Sequence, residues 1–174
     1  FGDPRNIPHP VCGIGNLIAW LEARLRKWFP ANEKSERRAG TVLVVAVLLI
    51  TGLASVLVLA AAYTVHPLAG VAVESVMCGQ MMAWRSLKKE SMKVYDALAA
   101  GDTEGARTAV SMIVGRDTKD LTDLGITKAA VETVAENTSD GIIAPLFYMV
   151  LGGGTGIFLY KAVNTMDSMV GYKN

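Results

Sequence analysis

Residues 41–65 read TVLVVAVLLITGLASVLVLAAAYTV, an apolar run without one charged side chain. At about 1.5 Å per residue, a helix of this length exceeds the roughly 30 Å hydrocarbon core of a bilayer, so it is expected to span. The charges around it agree: between Arg38 and Arg85 there is no Lys or Arg, and Glu74 is the only acid. A formal net charge of +1 conceals this segregation. With 51% hydrophobic residues and a positive mean hydropathy, the 174-residue chain departs from an ordinary soluble domain.

Downstream, His66-Pro67 ends the run, and residues 68–84 form a second, more polar candidate span with Glu74, Gln80 and the small residues Gly70, Ala72, Ser75 and Gly79. Small residues allow close helix contact, and a carboxyl at membrane depth must face protein or water. Glu74 is therefore either an interior hydrogen-bonded group or part of a polar path. Upstream, residues 30–40 read as a charged connector. Before it, Ile14, Leu17, Ile18, Leu21, Leu25 and Trp28 recur at helical spacing, with Glu22, Arg24, Arg26 and Lys27 mostly on other faces. This amphipathic helix either lies on the membrane surface or docks on protein. Pro4, Pro8 and Pro10 predict an extended arm over residues 1–12, from which Asp3, Arg5 and His9 project.

Lys and Arg flank both ends of the two-span hairpin, which places both ends in the cytoplasm and the protein in the cell's inner membrane as a multi-pass chain. Cys12 and Cys78 lie far apart with no metal-ligand spacing, so neither a disulfide framework nor a zinc site is expected. The polar, Pro-rich start is not a signal peptide, and a chain opening on Phe1 is expected to be part of a longer one.

After Arg85 the pattern turns amphipathic. Leu87, Ser91, Val94, Tyr95 and Leu98 share one helical face, Gly101-Asp102 makes a turn with Asp102 or Thr103 as N-cap, and Ala106, Ala109, Val110 and Ile113 form the next face. Lys88, Lys89 and Lys93 read as a solvated face or as contacts to phosphate or lipid. Gly115 is placed as a C-cap that leaves Arg116, Asp117 and Thr118 in a loop. A helix over 124–137 carries Ile126, Ala129, Ala130, Thr133 and Val134 inward, with Asn137 in the middle of that face and Glu136 at its border. Glu132 and Glu136, one turn apart, repel unless a cation sits nearby, and Lys128 is one source of it. Residues 141–160, interrupted by Pro145 and Gly152-Gly153-Gly154, form a broken or re-entrant segment or two short helices. A last helix from about Gly156 sets Lys161 near Thr165, and Asn164 near Asp167 and Ser168. The divisions expected are 1–40, arm and interfacial helix; 41–84, membrane hairpin; 85–140, cytosolic helices; and 141–174, broken apolar segment and polar helix.

No P-loop is present, Gly152-Gly153-Gly154-Thr155-Gly156 lacks the GxGxxG spacing, and neither HExxH nor GxSxG occurs. Carboxylates with Asn suit a divalent cation held through hard oxygens, while Arg116 and Lys161 suit phosphate. From the residues alone this is a membrane protein that handles a phosphorylated or Mg2+-bound ligand.

Longer strings carry more. Gly2-Asp3-Pro4-Arg5 with Pro8-His9-Pro10, Val114-Gly115-Arg116-Asp117-Thr118, residues 132–141 (ETVAENTSDG), Ala144-Pro145-Leu146-Phe147 and residues 160–172 (YKAVNTMDSMVGY) resemble, in order, the CobD/CbiB family of adenosylcobinamide-phosphate synthases in cobalamin biosynthesis. Asn6 and Cys12-Gly13 depart from the commoner residues there. The resemblance implies an all-α, polytopic integral membrane enzyme that uses ATP to join aminopropanol, or its O-phosphate, to adenosylcobyric acid. Members of that family extend beyond both ends of this chain. On this expectation Glu136, Asp140 and Asp167 hold Mg2+; Asp117, Glu132 and Lys161 are catalytic; and Arg116, Thr118, Asn137, Asn164 and Ser168 bind substrate or nucleotide. Expected partners are the two substrates, membrane lipid and other enzymes of the pathway, with no nucleic acid. The rival readings are a corrinoid-binding or transport protein, with Glu74 and Gln80 lining a path, and a scaffold presenting corrinoid to other enzymes.

Overall fold

The computed structural model describes residues 10–29, 32–82 and 84–171, and for residues 84–86 the backbone alone. Among them all regular structure is helical: α1 (Pro10–Trp28), α2 (Glu33–Val65), α3 (Pro67–Met81), α4 (Trp84–Ala99), α5 (Thr103–Ser111), α6 (Asp123–Thr138), a π-turn (Ser139–Ile143) and α7 (Ala144–Val170). The chain falls into two units, one of α1, α2, α3 and α7, the other of α4, α5, α6 and the π-turn.

In the first unit, α2 begins earlier than the apolar run that announces it. Asn32 Oδ1 accepts the Ser35 N–H at 2.9 Å, and Glu33 and Glu36 favour the positive end of the helix, so residues 33–40 are helix rather than connector. Likewise α1 starts at Pro10, because a proline in the first turn lacks only a donor that no helix would use. The extended arm therefore does not reach Cys12, and its remainder, with Asp3, Arg5 and His9, lies outside the described residues. His66 closes α2 in extended conformation, and its Nδ1 accepts the Leu68 N–H at 3.1 Å as α3 begins on Pro67. With 15 residues, α3 is about 22 Å long, against a hydrocarbon core of roughly 30 Å. Among the described residues the helical stretches long and apolar enough to cross are Glu33–Val65 and Asp123–Val170. The protein is an all-α membrane protein.

Packing in this unit is inverted relative to a soluble core. The buried face of α2 is Leu43, Val47, Thr51 and Ser55, at steps of four, whereas Leu49, Leu53 and Leu57 are each about 60% exposed or more. Ile14, Ile18 and Leu25 of α1 meet Leu43 and Val47 of α2 and Ala162 and Met166 of α7. A second cluster joins Cys78 and Met81 of α3 to Ile157 of α7. Helix α1 is thus docked on protein through one face, while Trp20 and Trp28 point outward. Both cysteines are free thiols, Cys78 buried and Cys12 exposed.

The second unit follows soluble rules. Val94 of α4, Ala106 and Val110 of α5, and Ile126 and Ala129 of α6 form one closed core. Gly101, at φ 72°, turns the chain between α4 and α5, and Asp102 Oδ1 caps α5 by accepting the Gly105 N–H at 2.8 Å. Tyr95 points outward, not into the shared face expected of it. Helix α5 stops at Ser111, so Gly115 is not its C-cap, and positive φ among the described residues occurs only at Gly101 and Gly153. Thr122 opens α6, its Oγ1 accepting the Gly125 N–H at 3.3 Å.

Candidate functional site

The loop between α5 and α6 supplies the first polar group. Arg116 reaches α6 and donates to Glu132 Oε2 at 2.9 Å, while Lys128 lies 3.9 Å from the other carboxylate oxygen. The cation that relieves the Glu132–Glu136 repulsion is therefore chiefly Arg116, from the loop, rather than Lys128 from within the helix. Both partners remain about half exposed, so the pair adds at most about 1 kcal/mol of stability. Asp117 turns back to accept the Lys119 N–H at 3.1 Å. Thr118 is buried, and its hydroxyl donates to the Arg107 carbonyl at 3.2 Å, which fixes the loop to α5. Arg107 itself pairs with Glu104 and donates to the Leu121 carbonyl at 2.9 Å.

Beside this loop lies a recess of about 340 Å3, lined by Arg107, Thr108, Ser111, Arg116, Asp117 and Lys119 among others. Its walls combine guanidinium, ammonium, hydroxyl and carboxylate, suited to a small ligand bearing charges of both signs. Reasoning from sequence missed Thr108, Ser111 and Lys119. The first two are three residues apart on α5 and the third is one residue beyond the Arg116–Thr118 motif, which is the only signal that would have flagged them.

Further along α6 the expected inner face ends early. Ile126, Ala129 and Thr133 are buried, but Asn137 is exposed and donates its amide N–H to the Thr133 carbonyl at 3.0 Å. Glu136 is exposed, and Asp140 follows four residues later, on the same side of the helix and inside the π-turn. The Ala144 N–H bonds the Ser139 carbonyl, a wide turn set just ahead of Pro145, which has no N–H to continue the normal ladder.

In the other unit, Lys161 Nζ donates to Asn164 Oδ1 at 3.2 Å, and Ser168 Oγ donates to the Asn164 carbonyl at 3.0 Å. Asp167 is exposed one turn from Asn164. Asn164 meets Ser168, and Thr165 Oγ1 donates to the Lys161 carbonyl at 2.7 Å, as their spacing suggested; the Lys161–Asn164 contact was not foreseen. Thus Arg116, Asp117, Thr118, Glu132, Glu136, Asn137 and Asp140 belong to the α4–α6 unit, and Lys161, Asn164, Asp167 and Ser168 to the unit of α7. Among the described residues no group of three or more His, Cys, Asp or Glu side chains is gathered to hold a bare metal ion.

Glu74 has a definite role. Its Oε2 accepts the Tyr63 hydroxyl at 2.8 Å and its Oε1 accepts the Gly154 N–H at 2.7 Å. That N–H is available because α7 breaks at Gly152 (φ −140°, ψ 20°) and Gly153 (φ 57°, ψ −148°), dividing it into two helical segments. A side chain at Gly153 would be left-handed and would put its Cβ 2.5 Å from Glu74 Oε1. Glu74 is thus a partly buried, hydrogen-bonded carboxyl that caps the second segment of α7, the one bearing Lys161 and Asn164.

The family model described as CobD/Cbib protein matches residues 1–174. A "Cobalamin biosynthesis protein CobD" of Geobacter metallireducens is 50% identical over this whole chain, which covers 54% of that protein. One of the same name from Listeria monocytogenes serotype 4b is 49% identical and covered to 55%. A "Cobalamin biosynthesis protein CbiB" of Salmonella typhi is 46% identical and covered to 54%, again over all of this chain. The chain therefore spans about half the length of the curated relatives it matches. No solved structure matches it. Identity of this level along every residue, together with the all-helical membrane architecture, places the chain in the CobD/CbiB family.

Proposed function

We propose that this chain acts in cobalamin biosynthesis, as part of an enzyme that forms an amide between the free carboxylate of adenosylcobyric acid and aminopropanol or its O-phosphate, at the expense of ATP. The observation that carries this reading is the mixed-charge recess of the α5–α6 loop, set beside the Arg116–Glu132 pair. A carboxylate and an ammonium do not condense unaided. In the proposed sequence a corrinoid carboxylate oxygen attacks the γ-phosphorus of ATP, and the bond to the ADP oxygen breaks. The neutral amine nitrogen then attacks the acyl carbon, the carbon–oxygen bond to phosphate breaks, and the nitrogen loses its proton.

Within that scheme Arg116 and Lys119 hold phosphate oxygens, Thr108 and Ser111 add hydroxyls, and Asp117 takes the ammonium proton, with Glu132 keeping Arg116 in place. Lys161, ordered by Asn164, is assigned to phosphate charge, and Asn137, Asn164 and Ser168 to orientation of substrate or nucleotide. Mg2+ commonly takes one or two carboxylates and completes its shell with phosphate oxygens and water, so Glu136 and Asp140, one turn apart, fit a nucleotide-borne ion. When bound, the ion supplies charge neutralisation at the transferring phosphoryl group. The reading places the protein in the inner membrane with this chemistry on the cytoplasmic side, where ATP is.

The broken α7 favours a second reading, transport of a corrinoid along a polar path. The capping of Gly154 and the bond from Tyr63 give Glu74 a structural task instead. The test uses the full-length protein in membranes with adenosylcobyric acid and MgATP, adding aminopropanol phosphate or free aminopropanol, with the amide followed by mass. Corrinoid-dependent ADP release with amide formation is expected, reduced at least a hundredfold in Glu136→Ala and Asp140→Ala. Unchanged turnover and Mg2+ dependence in both variants would overturn the metal assignment, and corrinoid binding without ADP release would overturn the ligase reading.

A further inference from the structure

Where α1 ends and α2 begins, Phe29, Lys34, Arg37, Arg38, Thr41 and Val42 line a recess of about 570 Å3. The α2 residues fall at steps of three and four, so they form one stripe down a single helix face. Glu33 and Glu36 alternate off that stripe, and no carboxylate lines the recess. Among the described residues none of the three cations is in an ion pair. Thr41 turns its hydroxyl to its own helix, donating to the Arg37 carbonyl at 3.0 Å.

Depth decides what such a recess meets. Helix α2 has 33 residues, about 50 Å of helix, against a hydrocarbon core of roughly 30 Å. Its charged first two turns, residues 33–40, therefore stand outside the core at headgroup level, and Val42 marks the start of the acyl region. Trp28 at the end of α1 is about three-quarters exposed, and Arg24 stacks over the half-exposed Trp20 at 4.3 Å, the aromatic and basic composition of a membrane–water boundary. Three cations above an apolar rim at this depth complement a phosphodiester with acyl chains beneath it. We propose that this recess is a binding site for an anionic phospholipid, whose phosphate is held by Lys34, Arg37 and Arg38 while its upper acyl carbons lie against Phe29 and Val42.

The test is native mass spectrometry of the full-length protein in non-ionic detergent, titrated with phosphatidylglycerol, phosphatidylcholine or inorganic phosphate. The site predicts at least tenfold tighter retention of one phosphatidylglycerol than of phosphatidylcholine, with no displacement by equimolar inorganic phosphate. A charge-relocated variant, E33K/K34E/E36R/R37E, keeps the number of basic residues that governs topology yet moves two cations off the stripe, and it should lose the preference. Arg38→Gln, which leaves the rest of the helix intact, should weaken phosphatidylglycerol about fivefold. Equal retention of the two lipids, displacement by phosphate alone, or an undiminished preference in Arg38→Gln would each overturn the proposal.

Discussion

Helix α2 and helix α6 bury their faces by opposite rules. In α6 the buried residues are the apolar Ile126 and Ala129 with Thr133 at the end of the row, as in any amphipathic helix on a soluble core. In α2 the row runs from Leu43 and Val47 to Thr51 and Ser55, while Leu49, Leu53 and Leu57 face out. Water drives apolar groups inward; lipid does not, so close approach and hydrogen bonding decide which face of α2 is interior. One chain therefore contains two solvents' worth of packing logic, and the same substitution should have different effects in each.

The largest departure is expected where neither rule applies. Gly153→Val forces a β-branched residue into a left-handed conformation and drives its Cβ against the Glu74 carboxylate, which costs about 3–5 kcal/mol. A fall of that size in stability to denaturant in detergent, with α7 amides losing hydrogen-exchange protection, would confirm the capped break. Wild-type protection would remove it.

Ile126→Ala, at a site with no exposed surface, should cost about 3 kcal/mol and expose the amides of the α4–α6 unit. If the cost is near zero, the soluble-type core is not formed. On α2 the order reverses: Leu53→Ala, facing lipid, should change stability by less than about 1 kcal/mol, whereas Ser55→Leu overfills a buried position and costs about 1–3 kcal/mol. Equal penalties at the two positions would show that α2 does not pack inside out. Smallest in stability is Glu132→Ala, below about 1 kcal/mol because its pair with Arg116 is half exposed. Its effect on turnover of the full-length enzyme should nevertheless exceed tenfold if that pair positions Arg116.

Residues 41–65 could be read as a span because twenty-five uncharged, mostly apolar residues leave a helix no other comfortable solvent, and Gly101-Asp102 as a turn because only that chemistry satisfies the chain there. The early starts of α1 and α2 were harder to read, since Pro10 and the charged residues 33–40 suggest a break until the caps that favour helix are seen. Arg116 finding Glu132 sixteen residues away, or Glu74 finding Gly154 eighty residues away, is not periodic in any local sense.

Composition and spacing by themselves determined that this is a helical chain with a lipid-facing run, a separate amphipathic region and its polar motifs in a recognisable order. Tertiary structure alone decided where α3 begins and ends, that α1 docks by one face, which cation answers Glu132, and that Glu74 caps a broken helix. The division has a physical cause: local periodicity reports the solvent around a segment, whereas the partner of a single polar atom is fixed only when distant segments have been packed against it.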